Sequence, residues 1–373
     1  MLKSFSVYNF KNFDTKIVID LSKVGEYKFN TDCISEKLIN KGVIYGKNSV
    51  GKSNLGFALF DIKHSMFTSN FPQQYSDYIN VNTSSNVAEF EYVFQIDNDL
   101  IEYSYGKFST KEYQYEKLEV NGELIFYINR EDSSLNDLSG LKKNDYLKTL
   151  NLEFLDADIS YLKYIANNTL ITNIPFLMNL MNFIKSMVWL KPSDNFVRGY
   201  LVDNLKDGEG ITEAIVRLGK VKELEEFLIS AGVENVPLTT KIDPEGKETI
   251  YFNYETPLLF KNNASGGTKA LLSIFYISLG FAKTKFLFID EFDANYHHLA
   301  AINIMKYFIQ TKGIQVLVTT HNTDLMSNSI LRPDCYFILT KKNFTSIKEA
   351  TDRELREGHN LEKLYQSGEF SYE

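Results

Sequence analysis

The sequence predicts an α/β protein with a mixed sheet core, an antiparallel β lobe and a helical insertion. Three observations lead to this fold class. An apolar strand at 42–45 runs directly into a glycine-punctuated turn and a helix-like stretch. Residues 87–128 alternate apolar and polar side chains, as half-buried antiparallel strands do. From about 135 to 230 the apolar period shifts toward 3.6, which is typical of helices.

The individual elements follow from the same patterns. Alternation in the first 20 residues predicts two short paired strands, and a helix is expected from Lys52 to about His64. The alternating region predicts a meander of about four strands with turns at 98–99 and 121–122. In the middle of the chain, FLMNLMNFIKSMVWL is interpreted as helical. The last third predicts a strand at 248–254, a helix at 268–282, a strand at 285–289, a helix at 298–310 and a strand at 315–319.

Composition restricts the classes of function. The chain has 373 residues, 44% of them hydrophobic and 24% charged, as in globular proteins. A net charge of -8 argues against a surface built for non-specific nucleic-acid binding. Cys33 and Cys335 form neither a disulfide framework nor a zinc site, which fits a reducing compartment. The most apolar stretch, 270–282, is too short for a membrane span, and the N-terminus has no signal-peptide pattern. We therefore expect a cytoplasmic protein without a membrane partner.

Residues 46–53 carry the pattern G-x-x-x-x-G-K-[ST] between the predicted strand and helix. Its two glycines let backbone N–H groups curl around phosphate oxygens, and the helix that begins there adds the positive end of its dipole. Lys52 would place its charge between the β- and γ-phosphates, and the Ser53 hydroxyl is suited to ligate Mg²⁺. ATP and Mg²⁺ are thus the expected ligands. The candidate nucleotide-binding residues of this segment are Gly46, Asn48, Ser49, Gly51, Lys52, Ser53 and Asn54.

A pair of acids follows the apolar run 286–289. An acid at the end of a buried strand can reach the Mg²⁺ from the side opposite the phosphate loop, so Asp290 joins Ser53 as a candidate metal ligand. Glu291, beside it, can polarise a water for attack on the γ-phosphate and is the candidate general base. An acidic turn after a core strand is common by itself. The upstream phosphate loop is what favours the catalytic interpretation here.

Two weaker motifs complete the candidate site. Ser265, Gly266 and Gly267 precede an apolar helix, where they predict either a second anion cradle or a turn with a helix N-cap. His321 ends the last predicted strand, 30 residues after Glu291 (321 − 291), where a γ-phosphate sensor would be needed. A lone histidine at a strand end is more often a capping or core residue. We take Ser265–Gly267 as nucleotide-binding and His321 as catalytic candidates.

Phosphate loop, Ser-Gly-Gly signature, Asp-Glu strand and terminal histidine, in this order, resemble an ABC-type ATPase head. More narrowly, the opening FSVYNFKNF, the segment DEFDANYH at 290–297 and TTHN at 319–322 resemble the soluble RecF/SMC/OLD-like branch. The resemblance covers about 1–60 and 255–373 with specific motifs, and the middle only in general layout. The expected domain limits are 1–132 for the N-terminal half of the head with the β lobe, 133–235 for the helical insertion and 236–373 for the C-terminal half of the head.

This resemblance implies a dimer with ATP between two protomers. The Lys52 loop of one protomer would face the signature at 265–267 of the other, and His321 would touch the γ-phosphate. Asp293–His297 would cross the dimer interface. The branch also has a metal-contacting glutamine that cannot be assigned here, with Gln73 and Gln74 as candidates only by position.

The resemblance extends to stand-alone bacterial ATPases, some of which are sensor subunits in anti-phage operons of the PARIS type or in abortive-infection operons. It implies a homodimer or higher homo-oligomer, a separate effector protein that is a TOPRIM-type or other nuclease, and a phage-encoded trigger protein. The alternative is a RecF-like DNA-repair or DNA-binding ATPase, whose head carries the same motifs. The acidic net charge slightly disfavours a DNA clamp, and the middle of the chain lacks the long heptads of an SMC arm.

Two other interpretations, each as a metal site, have less support from the sequence. Glu153 with Asp156 and Asp158 imitates the carboxylates of a nuclease, but these acids are close together in a stretch predicted to be helical. Only 52 residues follow His321 (373 − 321), too few for a further nuclease domain. Asp293 with the doublet at 297–298 lacks a further ligand at suitable spacing.

Overall fold

The computed structural model describes residues 1–68, 77–143, 147, 150–151, 156–192, 196–198, 205–206 and 209–370. The strands are β1 (Leu2–Tyr8), β2 (Ile17–Asp20), β3 (Ile34–Ser35), β4 (Leu38–Ile39), β5 (Lys41–Tyr45), β6 (Ala88–Ile96), β7 (Asp99–Lys107), β8 (Tyr113–Val120), β9 (Glu123–Asn129), β10 (Val188–Lys191), β11 (Phe196–Arg198), β12 (Leu238–Ile242), β13 (Glu248–Phe252), β14 (Leu258–Leu259), β15 (Phe286–Ile289), β16 (Gln315–Thr320), β17 (Tyr336–Leu339) and β18 (Phe344–Ser346). The helices are α1 (Lys52–Leu59), α2 (Asp61–Phe67), α3 (Ser139–Lys143), α4 (Tyr161–Asn168), α5 (Pro175–Ser186), α6 (Ile211–Arg217), α7 (Val221–Ser230), α8 (Phe260–Asn263), α9 (Gly266–Ser278), α10 (His298–Gln310) and α11 (Leu361–Gln366).

A seven-stranded sheet in the order β11-β10-β15-β16-β5-β17-β18 forms the centre of the protein. Its five inner strands run parallel, and β11 and β18 pair antiparallel at the two edges. β5, β15 and β16 are buried along their whole length, which explains their continuous apolar runs. Because parallel strands end at one edge of the sheet, the segments that follow β5, β10, β15 and β16 meet there. Ligands of open α/β sheets bind at this edge.

The helix after the phosphate loop packs closely against this sheet. A Cβ added to Gly56 of α1 would lie 2.7 Å from the Trp189 ring and 2.8 Å from the Phe288 ring. The Trp189 ring also makes edge contact with Phe57, at 4.7 Å between ring centroids. Glycine at this position therefore allows α1 to approach β10 and β15, which fixes the start of the helix relative to the acid strand.

A six-stranded antiparallel sheet in the order β2-β1-β6-β7-β8-β9 forms the β lobe. Its link to α2 is a buried ion pair, in which Lys107 Nζ lies 2.9 Å from Asp61 Oδ2 and both side chains are fully buried. The hydroxyls of Tyr78 and Tyr105 each donate to the Asp61 carboxylate at 2.8 Å. Four groups from two elements, α2 and β7, and one loop thus fasten the lobe to the helix that continues from the phosphate loop.

A smaller three-stranded sheet, β12-β13-β14, lies beside the helices of the C-terminal half. Phe227 of α7 packs on Phe275 of α9, with ring centroids 5.5 Å apart. α7 also contacts β12, where the backbone N–H of Leu238 donates to Glu225 at 2.6 Å. The small sheet is therefore connected through α7 to α9, the helix that begins at the Ser-Gly-Gly motif.

Most predicted elements are confirmed. β1 pairs with β2, the meander is β6 to β9, and the C-terminal helices and strands lie within a few residues of their predicted limits. The helix expected from Lys52 to His64 is two helices that meet at Phe60.

The helix interpretation of FLMNLMNFIKSMVWL is wrong at its end. α5 stops at Ser186, and Val188–Lys191 is a strand of the central sheet, parallel to β15. Asp156–Asp158 lies at a turn and not in the helix expected there, and Glu153 is outside the described residues. The domain limits at 132 and 235 stay a prediction.

Candidate functional site

The phosphate loop connects β5 to α1 at the carboxyl edge of the central sheet. Ser49 and Gly51 have positive φ angles of 64° and 108°. Lys52 Nζ donates to the carbonyl oxygens of Gly46 at 2.7 Å and Lys47 at 3.1 Å, so the loop curls around the ammonium. Burial lowers the pKa of Lys52, and the nearby acids Asp290, Glu291 and Asp293 act against this. The ammonium thus lies against backbone carbonyls of the loop and is attracted by the acids that follow β15.

Asn12, from the segment after β1, supports this loop and was missed by the sequence reasoning. Its amide donates to the carbonyl of Val50 at 2.9 Å and accepts from the Asn54 amide at 2.6 Å. A Cβ on Gly51 would lie 2.6 Å from the Asn12 side chain, so glycine is required here by both space and φ. The Asn54 side chain is committed to Asn12. The contact expected between Asn54 and the nucleotide would therefore be made by the backbone N–H of Asn54, which lies in the first turn of α1.

The acid strand meets the phosphate loop directly. Ser53 Oγ donates to Asp290 Oδ2 at 2.6 Å, and Thr319 Oγ1 donates to Asp290 Oδ1 at 2.7 Å. Asp290 is fully buried, and this burial raises the pKa of its carboxyl, against the lowering effect of the two hydroxyls and Lys191. The two candidate metal ligands of the sequence are therefore neighbours, brought together by strands that are far apart in the chain.

Glu291 has a constrained backbone. Its φ of 51° lies in the left-handed region, which non-glycine residues rarely adopt. Its N–H donates to Thr319 Oγ1 at 2.9 Å, and the N–H of Phe292 donates to the Thr319 carbonyl at 2.9 Å. Lys191 Nζ lies 3.5 Å from Glu291 Oε2. Thr319, noted in the sequence only as part of TTHN, and Lys191, which the sequence did not single out, thus set the place of the candidate base.

The Ser-Gly-Gly motif forms the start of α9. Ser265 caps the helix by accepting from the N–H of Thr268 at 3.1 Å. Ser265 and Gly266 are exposed, and a Cβ on Gly266 would meet nothing within 4 Å. A Cβ on Gly267 would lie 2.5 Å from the carbonyl of Asn295, so the motif packs against the segment that follows the acids. This arrangement leaves the face of the motif accessible to a group from outside the protomer.

His321 follows β16 and is exposed. Its neighbour Thr320 donates to Asp293 Oδ1 at 2.7 Å, which ties the segment after the acid strand to the end of β16. His297 accepts from the N–H of Leu299 at 3.5 Å and caps α10. Asp293 and His297 thus have structural partners. Gln73 and Gln74 lie outside the described residues.

The donor set fits the expected ligands. Mg²⁺ prefers hard oxygen ligands, and the Ser53 hydroxyl and Asp290 carboxylate present two oxygens already in contact. A nucleotide phosphate fits the loop because the first-turn N–H groups of α1 have no acceptors within the helix and the Lys52 ammonium lies in the same loop. The residues present therefore fit a site for a nucleotide phosphate and Mg²⁺.

Comparison with known proteins identifies the family. Residues 1–346 match the family described as the RecF/RecN/SMC N terminal domain. The chain belongs to this family. It is accordingly an ABC-type ATPase of the RecF/SMC branch, as the sequence resemblance implied, with the α/β head described above. A search among curated proteins finds no significant match. In the described part of this RecF/SMC-type head, no helix is long and apolar enough to span a membrane.

Several solved structures are similar in fold. An SMC head bound to the C-winged helix domain of ScpA has 15% identity and a TM-score of 0.47, with 94% of this chain and 98% of that chain covered. The SMC head domain from Thermotoga maritima has 16% identity and a TM-score of 0.44, with coverages of 93% and 98%. The recombination mediator protein RecF has 15% identity and a TM-score of 0.37, with coverages of 93% and 98%. These values are too low to transfer activity or partners.

Proposed function

We propose that the protein binds and hydrolyses ATP at a site completed by a second copy of the chain, and that it signals to a separate effector. The observation that carries the catalytic part is the 2.6 Å hydrogen bond from Ser53 to Asp290. It joins the phosphate loop to the acid strand at the point where Glu291 follows. The other candidate residues lie on elements that end at the same edge of the sheet or, at the signature, face outward.

Each residue has a role that its position supports. Lys52 and the loop N–H groups bind the β- and γ-phosphates, and Ser53 and Asp290 hold Mg²⁺. Bound Mg²⁺ neutralises negative charge on the phosphates. Glu291 accepts the proton of the attacking water. The exposed Ser265 and Gly266 of the second protomer close the site over the nucleotide, and His321 contacts the γ-phosphate.

The phosphate-loop assignment is tested by Lys52→Ala. This change removes the ammonium that would neutralise the phosphates, so calorimetry should show ATP binding lost while the circular dichroism spectrum stays unchanged. Lys47→Ala is the matched control, because Lys47 is an exposed lysine of the same loop. Equal ATP affinity in Lys52→Ala and the parent would refute the assignment.

The composite site is tested by Ser265→Arg, which places a bulky cation on the exposed face of the signature. Light scattering with ATP and Mg²⁺ should show association in the parent and none in this variant. Ser84→Arg, at an exposed serine of the β lobe, controls for the added arginine. If Ser265→Arg associates and turns over ATP like the parent, the protomers do not share a site.

The effector part of the proposal rests on the resemblance to sensor ATPases and on the connection from α9 to the small sheet. Association at Ser265 would move α9, and Phe227 on Phe275 would transmit this movement through α7. β12 is suited to receive a partner because its outer residues are exposed, with Ile242 at 72%. The expected partner is a nuclease in an anti-phage defence system.

The effector is identified by co-purification. The product of the neighbouring gene, expressed alongside, should co-elute with the Glu291→Gln variant, which retains ATP. The competing interpretation is that the insert at about 69–255 only widens a homo-oligomer interface. If nothing co-elutes in either nucleotide state and the ATPase alone arrests cells, the sensor role is wrong.

A further inference from the structure

Lys191 lies beside the two acids although it is about 100 residues away in sequence. β10 pairs parallel with β15, with Leu190 opposite Ile289, and the N–H of Asp290 donates to the Leu190 carbonyl at 2.8 Å. Lys191 therefore leaves the sheet at the same edge and level as Asp290. Its position follows from main-chain pairing and does not depend on a flexible surface loop.

The ammonium of Lys191 faces both carboxylates. Nζ lies 3.5 Å from Glu291 Oε2 and 3.9 Å from Asp290 Oδ2. The Lys191 side chain is only 20% exposed, so solvent screens this interaction less than that of a surface ion pair. The two acids are adjacent in sequence and repel each other, and a cation close to both carboxylates reduces this repulsion.

The backbone of Glu291 is fixed, but its side chain can still rotate. The N–H is held by Thr319, and φ is 51°. The Glu291 side chain is 36% exposed, so rotation about its side-chain bonds can turn the carboxylate toward solvent. The ammonium of Lys191, close to both acids, attracts this carboxylate toward Asp290.

We propose that Lys191 is a positioning residue for ATP hydrolysis: its ammonium holds the Glu291 carboxylate beside Asp290. This inference rests on the function proposed above. Lys191 acts through Glu291 and does not itself exchange a proton. Removing the ammonium should leave ATP binding intact, because the phosphate loop is unchanged, and should lower kcat, because the base is no longer held in place. A misplaced catalytic group costs up to about 100-fold in rate.

Turnover and binding are measured on Lys191→Met, Lys191→Gln and Lys191→Arg. The two neutral variants should lose about 10–100-fold in kcat while the ATP dissociation constant by calorimetry stays within about 3-fold of the parent. Lys191→Arg should recover most of the rate, because it restores the cation. Lys185→Met is the matched control, since this exposed lysine precedes the opposite end of β10 and should keep the parental rate.

A thermal double-mutant cycle on the nucleotide-free protein gives a readout independent of activity. Lys191→Met should lower Tm by about 1–3 °C in the parent and by less than half of that in the Glu291→Gln background, because the pair is then already broken. Lys191→Gln repeats the cycle if Lys191→Met does not fold. Additive shifts would overturn the proposal.

The kinetic outcomes separate the two proposals. Parental kcat in the neutral Lys191 variants, together with loss of turnover in Glu291→Gln, overturns the role of Lys191 and leaves the proposed hydrolysis standing. Full turnover in Glu291→Gln means instead that the base has been assigned wrongly. A loss of ATP affinity as large as the loss of kcat also overturns the positioning role, because Lys191 would then act in binding.

Discussion

Asp61 and Asp290 are two of the fully buried aspartates of this protein, and they are satisfied in different ways. Asp61, between α2 and the β lobe, has the Lys107 ammonium at 2.9 Å and two tyrosine hydroxyls at 2.8 Å. Asp290, at the edge of the central sheet, has two close hydroxyl donors, with the Lys191 ammonium farther away at 3.9 Å. The Asp61 carboxylate is hydrogen-bonded to a cation, whereas the Asp290 carboxylate accepts from two neutral hydroxyls.

The difference indicates what each acid does. A buried ion pair at a junction is costly to break, because removing one partner leaves the other charge buried and uncompensated. A buried charge held by neutral donors retains attraction for a cation, and burial raises the pKa of Asp290 as expected for such a group. Acids with a perturbed pKa at the edge of a parallel sheet are typical of sites that bind ligands. The comparison therefore supports the proposal that Asp61 has a structural role and Asp290 a functional one.

The largest effect on stability is expected at the structural pair. Lys107→Met leaves Asp61 as a buried charge without its ammonium, which should lower the free energy of unfolding by about 3–5 kcal/mol. Urea denaturation measures it. The double variant Asp61→Asn with Lys107→Met removes both charges and should be more stable than Lys107→Met alone. A loss below 1 kcal/mol in Lys107→Met would show that this pair is not what holds the lobe.

A smaller loss is expected at Thr319, which serves both acids. Thr319→Val removes the donor to Asp290 and the acceptor for the N–H of Glu291, so it should cost about 1–3 kcal/mol by denaturation. Turnover should fall as well, because the backbone of Glu291 loses its support. Thr319→Ser keeps the hydroxyl and is the control. If Thr319→Val turns over ATP like Thr319→Ser, the support is not needed.

The smallest effect on stability is expected at Asp290. Asp290→Asn removes a buried charge that has no direct counter-ion, and the Ser53 and Thr319 hydroxyls can rotate to bond the amide. The free energy of unfolding should stay within about 1 kcal/mol of the parent or rise, while Mg²⁺-dependent turnover is lost. A destabilisation as large as that of Lys107→Met would remove the distinction between the two aspartates.

The sequence predicts one side of this comparison better than the other. The phosphate loop, Asp290 and Glu291 follow from local patterns, because glycine spacing and an acid after a buried strand are visible within a few residues. Lys191 and the pair of Asp61 with Lys107 were not predicted, since their contacts join residues far apart in the chain. Val188–Lys191 was assigned to a helix because four residues that follow an amphipathic helix do not carry a period of their own. The β-branched Val188 and the aromatic Trp189 were the signal available for a strand in this segment.

Glu291 is proposed to be the general base at a site where the phosphate loop and Asp290 bind ATP and Mg²⁺. Glu291→Gln preserves size and hydrogen bonding but removes the base. ATP affinity by calorimetry and the rate of phosphate release with Mg²⁺ should be measured on this variant and the parent together. We expect an ATP affinity close to that of the parent and a rate of phosphate release lower by about 10²–10⁴-fold. A Glu291→Gln protein that hydrolyses ATP at the parental rate would contradict it.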